Sequence, residues 1–158
     1  MKTTALLSLL SLAVLFFTQS TKKPDVIAEI EAFNQKHTAV TLHMDNAAVM
    51  ELWADDGITL LPGMAPVKGK KAITQFMDNV TSQMKGWKVT KQEDTCHDIE
   101  INGDWANEWC DTYQVVQPTD GKPVIESFGK MLLVLHREKD GRWLLKREMW
   151  NQGMKPVS

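Results

Sequence analysis

The spacing of apolar residues changes once along the chain, near Gly86. Before Gly86, apolar residues recur three and four positions apart, as they do on helices with one buried face. After it, apolar and polar residues alternate, as they do on half-buried strands. Helices followed by a run of strands predict an α+β fold in which the helices cover one face of a mostly antiparallel sheet.

The pattern predicts three helices in the first part of the chain. The first begins after Asp25, and its apolar face comprises Val26, Ile30, Phe33, His37 and Val40. Asp45 is of a residue type that caps helices, and it predicts a second helix with an inward face of Ala48, Leu52 and Trp53. The third helix has an apolar stripe of Ala72, Ile73, Phe76, Met77 and Val80.

The segment LWADDGITLLPG, residues 52–63, is predicted to contain the end of the second helix. Gly57 would end it, because glycine readily adopts the left-handed conformation of a C-terminal cap. Asp55 and Asp56 would then lie at the exposed end of the helix, where carboxylates meet an unfavourable dipole. We therefore interpret the acidic pair as part of a turn or a surface contact rather than as a catalytic dyad.

Four long strands are predicted near residues 87–101, 105–116, 124–137 and 142–151. In the second of them the odd positions carry the aromatic side chains, and we expect the inward face to comprise Trp105, Asn107, Trp109, Asp111, Tyr113 and Val115. In the last strand both faces are partly apolar, and the outer face is expected to carry Trp143, Leu145 and Met149.

The N-terminus predicts export. Residues 1–20 carry a lysine at position 2 and an apolar run from Ala5 to Phe17. This run fits a signal peptide and is short for a membrane span, although an uncleaved anchor is the alternative. Cleavage near Thr21 would leave a single domain, residues 21–158, in the periplasm or outside the cell and free of the membrane.

Export makes a disulfide between Cys96 and Cys110 possible. A three-residue loop over residues 102–104 would place the two cysteines directly opposite each other on a hairpin. A two-residue turn of Asn102 and Gly103 would instead put Trp109 opposite Cys96. The sequence leaves both registers open.

Charge and motifs exclude several classes of function. The formal net charge of −2 gives no basic footprint for nucleic acid. His37 and His43 are six positions apart and do not share a helix face, so no metal site is predicted. The sequence has no glycine-rich phosphate loop, dinucleotide fingerprint or nucleophile motif, so no cofactor is expected.

Two segments, LWADDGITLLPGMAPVKGKKAITQF and DGRWLLKREMWN, resemble the nuclear transport factor 2-like superfamily. The resemblance spans about Ile27 to Asn151 and is to the SnoaL-like and ketosteroid isomerase-like branches, especially the bacterial domain of unknown function 4440 group. It implies a cystatin-like cone, in which a curved antiparallel sheet wraps around the three N-terminal helices. It also implies a pocket at the open end and a homodimer formed through the outer sheet face. The fold hosts enzymes and binding modules alike, so it does not by itself give the function.

The resemblance permits a test for steroid isomerase chemistry, which needs a carboxylate base, a tyrosine and a protonated aspartic acid. Ungapped matching places the base position at Leu61, the tyrosine position at His37 and the second acid at Leu133. Leucine can neither take a proton nor donate a hydrogen bond, so the classical isomerase mechanism is excluded. The same matching implies that the residues facing the pocket include Trp109, Asp111, Tyr113, Glu148 and Trp150.

If the protein is an enzyme, the candidates for cofactor-free acid–base catalysis are Asp111, Glu148 and His37. The side chains expected to contact a small apolar ligand are Trp53, Leu61, Trp109, Tyr113, Leu133 and Trp150. Each candidate has a structural alternative. The acids can pair with cations, the histidine can be satisfied within its helix, and the aromatic residues can be plain core.

Three hypotheses for function follow. The first is an exported protein that binds a small apolar molecule in the cone and acts on it as an isomerase, cyclase or dehydratase. The second is a non-catalytic ligand-binding or dimerisation module. The third is an accessory protein that presents its sheet to a protein partner.

Overall fold

The computed structural model describes residues 25–119 and 121–155. The predicted signal peptide lies outside these residues. The helices are α1 Val26–Leu42, α2 Asn46–Glu51 and α3 Lys70–Gln83, and the strands are β1 Trp53–Leu60, β2 Val67–Lys68, β3 Lys88–Asn102, β4 Trp105–Gln117, β5 Ile125–Arg137 and β6 Trp143–Gln152. None of the described helices is long and apolar enough to cross a membrane.

The apolar faces predicted for the first and third helices are confirmed. Ile30, Phe33 and His37 are buried on α1, and Ile73 is buried on α3. The cap predicted for the second helix is also confirmed, since the carboxylate of Asp45 accepts a hydrogen bond of 3.0 Å from a backbone N–H in the first turn of α2. Helices of this length are barely stable in isolation, and packing of their apolar faces against the sheet stabilises them.

The predicted end of the second helix at Gly57 is wrong. Helix α2 ends at Glu51, and the chain enters β1 at Trp53. Gly57 lies within the strand and makes room for the ring of Trp53, because a Cβ atom at Gly57 would stand 2.6 Å from Trp53 Cε3. The glycine therefore serves close packing in β1 and not a helix cap.

The acidic pair next to this glycine consequently belongs to β1, where Asp55 and Asp56 are exposed. The carboxylate of Asp56 accepts a hydrogen bond from the ammonium group of Lys146. This bond lowers the pKa of Asp56 below its ordinary value. Asp56 thus makes a surface contact, but from a strand and not from the end of a helix.

The six described strands form one curved sheet in the order β2-β1-β6-β5-β4-β3. Neighbouring strands are antiparallel except β1 and β6, which run parallel. The helices lie on one face, where α1 packs across β3 and α3 packs across β1. The predicted α+β class with a cystatin-like sheet around N-terminal helices is confirmed.

β-Bulges on β3 and β6 determine which side chains face the helices. On β3 the register shifts between His97 and Glu100, and Asp98 in this interval has a φ of 52°. On β6 the register shifts so that Lys146 has no partner on β5. A bulge inserts one residue, so the side chains beyond it are redirected to the other face.

The bulge at Lys146 overturns the outer face expected for the last strand. Trp143 and Leu145 are buried in the core before the bulge. Beyond it the odd positions turn to the outer face, so of the three predicted outer residues only Met149 is exposed. The core that results lies between the helices and one face of the sheet and includes Ile30, Phe33, Val49, Leu52, Trp53, Ile73, Leu133, Leu135, Trp143 and Leu145.

The β3–β4 hairpin differs from both of the predicted turns. Asn102 pairs with Trp105, so the loop consists of Gly103 and Asp104. The bulge on β3 then restores the register that sets the two cysteines opposite each other. Cys96 pairs with Cys110 across the strands, and a disulfide joins them.

Candidate functional site

A cavity of about 380 Å³ lies between the helices and the inner face of the sheet. This volume falls in the range that accommodates small organic ligands. Most of its lining is apolar: Val49, Met50, Trp53, Leu61, Ile73, Phe76, Met77, Val80, Met131 and Trp150. Its polar lining comprises His37, Thr41, Thr59, Gln92, Thr112, Gln114, Ser127 and Glu148. An apolar body with a few polar groups is the usual character of a small-molecule site.

His37 is placed in the cavity by the apolar face of α1. It lies one turn after Phe33, and the two rings stack with their centroids 6.3 Å apart. The residue is buried, yet within the described part of the chain its ring makes no hydrogen bond. The imidazole therefore keeps a donor and an acceptor for a molecule in the cavity.

Glu148 reaches the cavity because the bulge on β6 redirects the residues that follow it. Thr59, its neighbour on the parallel strand β1, donates a hydroxyl hydrogen bond of 2.9 Å to Glu148 Oε2. This hydroxyl is the one hydrogen-bond partner of the carboxylate among the described residues. The predicted alternative, an ion pair with Lys146, Lys130 or an arginine, is not what the structure has.

Five of the nine predicted site residues line the cavity: His37, Trp53, Leu61, Glu148 and Trp150. Trp150 can lie flat against the sheet because Gly129 leaves room for it. A Cβ atom at Gly129 would stand 2.6 Å from Trp150 Nε1. This close approach explains a glycine in the middle of a long strand.

The expectation that Trp109, Asp111 and Tyr113 point inward is wrong. On β4 the buried positions are the even ones, and these three residues lie on the outer face. Trp109 donates from Nε1 to Asp98 at 2.7 Å, and Asp111 lies 3.4 Å from the ring of His97. The residues therefore interact with outer-face neighbours and not with the cavity.

Leu133 faces inward as expected, but it belongs to the core and not to the cavity wall. Its cross-strand neighbour on β6 is Glu148. Leu133 is 1% exposed, and helices and strands enclose its side chain. It supports the cavity without lining it.

The inner face of β4 holds a buried acid that the sequence pattern did not reveal. Glu108 is 1% exposed and accepts a hydrogen bond of 2.9 Å from the side-chain amide of Asn34 on α1. Burial raises the pKa of Glu108, and the bond from Asn34 opposes that shift. Its second oxygen, Oε1, is buried and has no hydrogen-bond partner among the described residues, and the same holds for Oδ1 of Asn34.

Glu108 also belongs to the one cluster among the described residues that could hold a metal ion. Its carboxylate lies within 4.8 Å of the sulfur atoms of Cys96 and Cys110. The disulfide consumes both thiols, and a disulfide sulfur is not the thiolate that binds metals. The residues present therefore do not form a metal site in this state of the protein.

Sequence reasoning also missed the polar side of the cavity, which comprises Gln92, Thr112, Gln114 and Ser127. The available signal was the even face of β4, where small and uncharged polar residues alternate with the outer aromatic residues. Such residues suit a sheet face that is close-packed against a helix at one end and open to a ligand at the other.

Known proteins that are similar to this chain share its fold. The family described as SnoaL-like domain matches residues 25–148. A ketosteroid isomerase-like protein from Erwinia carotovora atroseptica is 19% identical, with a TM-score of 0.72 over 84% of this chain and 100% of that one. ActVI-ORFA from Streptomyces coelicolor is 15% identical, with a TM-score of 0.69 over 80% and 96%.

A nuclear transport factor 2-like protein with a cystatin-like fold from Novosphingobium aromaticivorans is 21% identical. Its TM-score is 0.62 over 78% of this chain and 79% of that one. Sequence comparison with curated proteins gives no match. At these identities the structural likeness concerns the fold alone.

Proposed function

The chain belongs to the SnoaL-like domain family, and from this premise we propose that it binds a small, largely apolar molecule in its cavity. The observation that carries the proposal is that an imidazole and a carboxylate, both with free hydrogen-bonding capacity, line one apolar cavity. Such groups are rarely left in an apolar enclosure unless they serve a ligand or a reaction.

The chemistry that we propose is acid–base catalysis at a carbon atom next to a carbonyl, without a cofactor. Glu148 would take the proton, since its carboxylate has only the Thr59 hydroxyl as a partner within the described chain. His37 would donate a hydrogen bond to the oxygen where negative charge develops. His37 would then have the role of the isomerase tyrosine, whose position it occupies in the sequence match: it would donate a hydrogen bond to the developing oxyanion.

The base would therefore lie on a different strand from the one used by the isomerases that the sequence resembles. Their base position corresponds to Leu61, which lines the cavity and cannot take a proton. Glu148 is adjacent, because β6 pairs with β1 next to that position. Isomerisation, aldol cyclisation and dehydration next to a carbonyl group can each begin with such a proton transfer, and the proposal covers these three types.

Exchange of the α-hydrogens of 2-tetralone for deuterium, followed by NMR in D2O, tests this proposal. The protein should accelerate exchange over buffer. Glu148→Gln should lower the acceleration by about 10²–10⁴-fold, because it removes the base. His37→Gln should lower it by about 10²-fold, because it removes one oxyanion donor.

Asp111→Asn is the matched control, since Asp111 is a carboxylate on the opposite face of the sheet. Exchange in this variant should equal that of the wild type. If 2-tetralone binds but the wild type, Glu148→Gln and buffer exchange at one rate, the catalytic proposal fails. The protein would then be a non-catalytic binding module.

Export and self-association remain part of the proposal. The Cys96–Cys110 disulfide supports export, because such bonds persist outside the reducing cytoplasm. A homodimer is supported by the family resemblance and by three exposed apolar residues on the outer sheet face: Trp105, Leu132 and Met149. The segments LWADDGITLLPG and DGRWLLKREMWN support a place near the domain of unknown function 4440 group.

A further inference from the structure

A row of polar side chains crosses the inner face of the sheet at the cavity, and the proposed acid–base chemistry uses none of them. Gln92 on β3, Gln114 on β4 and Ser127 on β5 are direct cross-strand neighbours. In the adjacent row, Asp94 pairs with Thr112. We call these residues the polar wall.

The polar wall is connected by a chain of hydrogen bonds that begins at Asp94. Its Oδ2 accepts from the hydroxyl of Thr38 on α1 at 2.7 Å, and its Oδ1 accepts from Gln92 Nε2 at 2.8 Å. Gln92 Nε2 also donates to Thr112 Oγ1 at 3.2 Å. Gln92 Oε1 in turn accepts from Gln114 Nε2 at 2.9 Å.

The charge of Asp94 gives this chain a direction. An ionised carboxylate can only accept, so the amide of Gln92 must present its nitrogen to Asp94 and its oxygen to Gln114. Gln114 must then present its nitrogen to Gln92, which leaves its oxygen, Oε1, directed away from the chain. Thr112 already accepts from Gln92, so its hydroxyl proton is left to donate elsewhere.

Besides the second N–H of the Gln114 amide, the chain therefore leaves one free acceptor and one free donor. Gln114 Oε1 and the Thr112 hydroxyl proton have no partner in residues 25–119 and 121–155, and both residues line the cavity. They lie two positions apart on one face of β4, about 7 Å between Cα atoms, so their side chains can reach a single ligand group. A hydroxyl group satisfies both, because it can donate to the amide oxygen and accept from the threonine.

We propose that the polar wall selects ligands with a hydroxyl group on an otherwise apolar ring system, and that Asp94 is the positioning residue that sets this preference. The inference rests on the proposed binding function and names the class of molecule bound. An ether oxygen can accept from Thr112 but cannot donate to Gln114. In the complex it would cover the amide oxygen of Gln114 without pairing it, which is costly.

The test compares the binding of 2-naphthol and 2-methoxynaphthalene at neutral pH by fluorescence titration. The wild type should bind 2-naphthol about tenfold more tightly, the effect of one buried hydrogen bond. Gln114→Leu should abolish this preference, because it removes the acceptor. Thr112→Val should weaken both ligands alike, because its hydroxyl can donate to either oxygen.

Asp94→Asn tests the positioning role, since this residue is not expected to touch the ligand. An asparagine can donate as well as accept, so the amide of Gln92 loses its fixed direction and the preference should fall to about twofold or less. A merely structural change would weaken both ligands and keep the preference. Gln117→Leu, at the exposed end of β4, is the control and should keep the full preference.

The outcomes separate the two proposals. If both naphthalenes bind the wild type equally, or if Gln114→Leu keeps the preference, the inference about the polar wall is wrong and the binding function stands. If neither compound binds up to its solubility limit, the binding function itself fails, and the inference fails with it. Circular dichroism of each variant confirms that the folded protein is being compared.

Discussion

The two faces of strand β4 differ in a way that their compositions do not suggest. The outer face carries the large aromatic side chains, Trp105, Trp109 and Tyr113, and the inner face carries smaller residues such as Ala106, Cys110 and Thr112. It is nevertheless the inner face that is buried, on the side of the sheet that the helices cover. The outer aromatic residues instead stack on cross-strand neighbours, as Tyr113 does on Phe128 at a centroid distance of 4.6 Å.

The comparison shows that the position of the helices, rather than side-chain volume, decides which face of the sheet is buried. Helix α1 packs over β3, and its Asn34 contacts Glu108 on the inner face of β4, where the neighbouring side chains are small. Large side chains there would overpack the core, at a cost of about 1–3 kcal/mol each. On the outer face the same side chains have room and can pair across strands.

The largest difference between inner and outer face is expected from truncation of adjacent leucines on β5. Leu133 is 1% exposed, and Leu132 is 43% exposed. Leu133→Ala should reduce the free energy of unfolding by about 3–4 kcal/mol, and Leu132→Ala by less than about 1 kcal/mol. Urea denaturation measures both, and equal losses would contradict the assignment of faces.

A similar contrast should follow from removing neighbouring cross-strand pairs on β3 and β4. The double change of Cys96 and Cys110 to alanine opens a short covalent loop on the inner face and should cost about 3 kcal/mol. The outer pair one position along is Thr95 with Asp111. Its double change to alanine should cost less than about 0.5 kcal/mol, and a larger loss would show that the outer pair is structurally important.

The acid on the inner face should make stability depend on pH in the opposite sense to ordinary acids. Burial raises the pKa of Glu108 in the folded state. Its contribution is complete below the unfolded value of about 4.3 and is lost as pH rises through the raised folded value. Glu108→Gln should therefore be more stable than the wild type at pH 8, with no such gain at pH 4.

Thermal midpoints at the two pH values measure this effect. Glu100→Gln, an exposed acid on the adjacent strand, is the control and should follow the wild type at both pH values. A Glu108→Gln midpoint that tracks the wild type at pH 8 would mean that Glu108 is not destabilised by burial in its charged form.

The smallest effect is expected from an exposed acid with the opposite shift. Lys146 lowers the pKa of Asp56, so the contribution of Asp56 is present above its unfolded value and is lost as pH falls through the folded value. Asp56→Asn should cost less than about 1 kcal/mol at pH 7. The cost should vanish in strong acid and shrink with added salt, and a cost that persists in 1 M NaCl would argue against an ion pair.

The sequence predicts the elements of this fold better than it predicts their faces. The bounds of the four long strands and the apolar stripes of α1 and α3 follow from periodicity, which local residues determine. The start of β1 does not, since the local pattern predicts a helix over its first residues. The bulges at Asp98 and Lys146 do not, because one inserted residue reverses every later side chain without changing composition. The local sequence indicates a helix cap at Gly57 for a similar reason. The need for glycine there comes from the ring of Trp53, which packs against Gly57 only in the folded sheet.

In the candidate site, too, some residues could be predicted from local sequence and others depend on the tertiary structure. His37 was predicted from the helix stripe, and Glu148 was predicted from the strand pattern and the family resemblance. Asp111 was placed inward because aromatic neighbours suggested an apolar surface. The even face of β4 indicates Thr112 and Gln114, but no local pattern predicts the hydrogen-bonded chain of the polar wall, because Gln92 and Gln114 meet only through the register of β3 on β4.

The proposals place the ligand site on the inner face of the sheet, and the methionine side chains offer a test of that location. Met50, Met77 and Met131 line the cavity, whereas Met64 and Met149 are exposed elsewhere. In a titration of methyl-13C-methionine protein with 2-naphthol, we predict saturable NMR shifts for the three cavity methyl groups and none for the two exposed ones. Shifts at Met149 with unchanged cavity signals would place the ligand on the outer face and contradict the account.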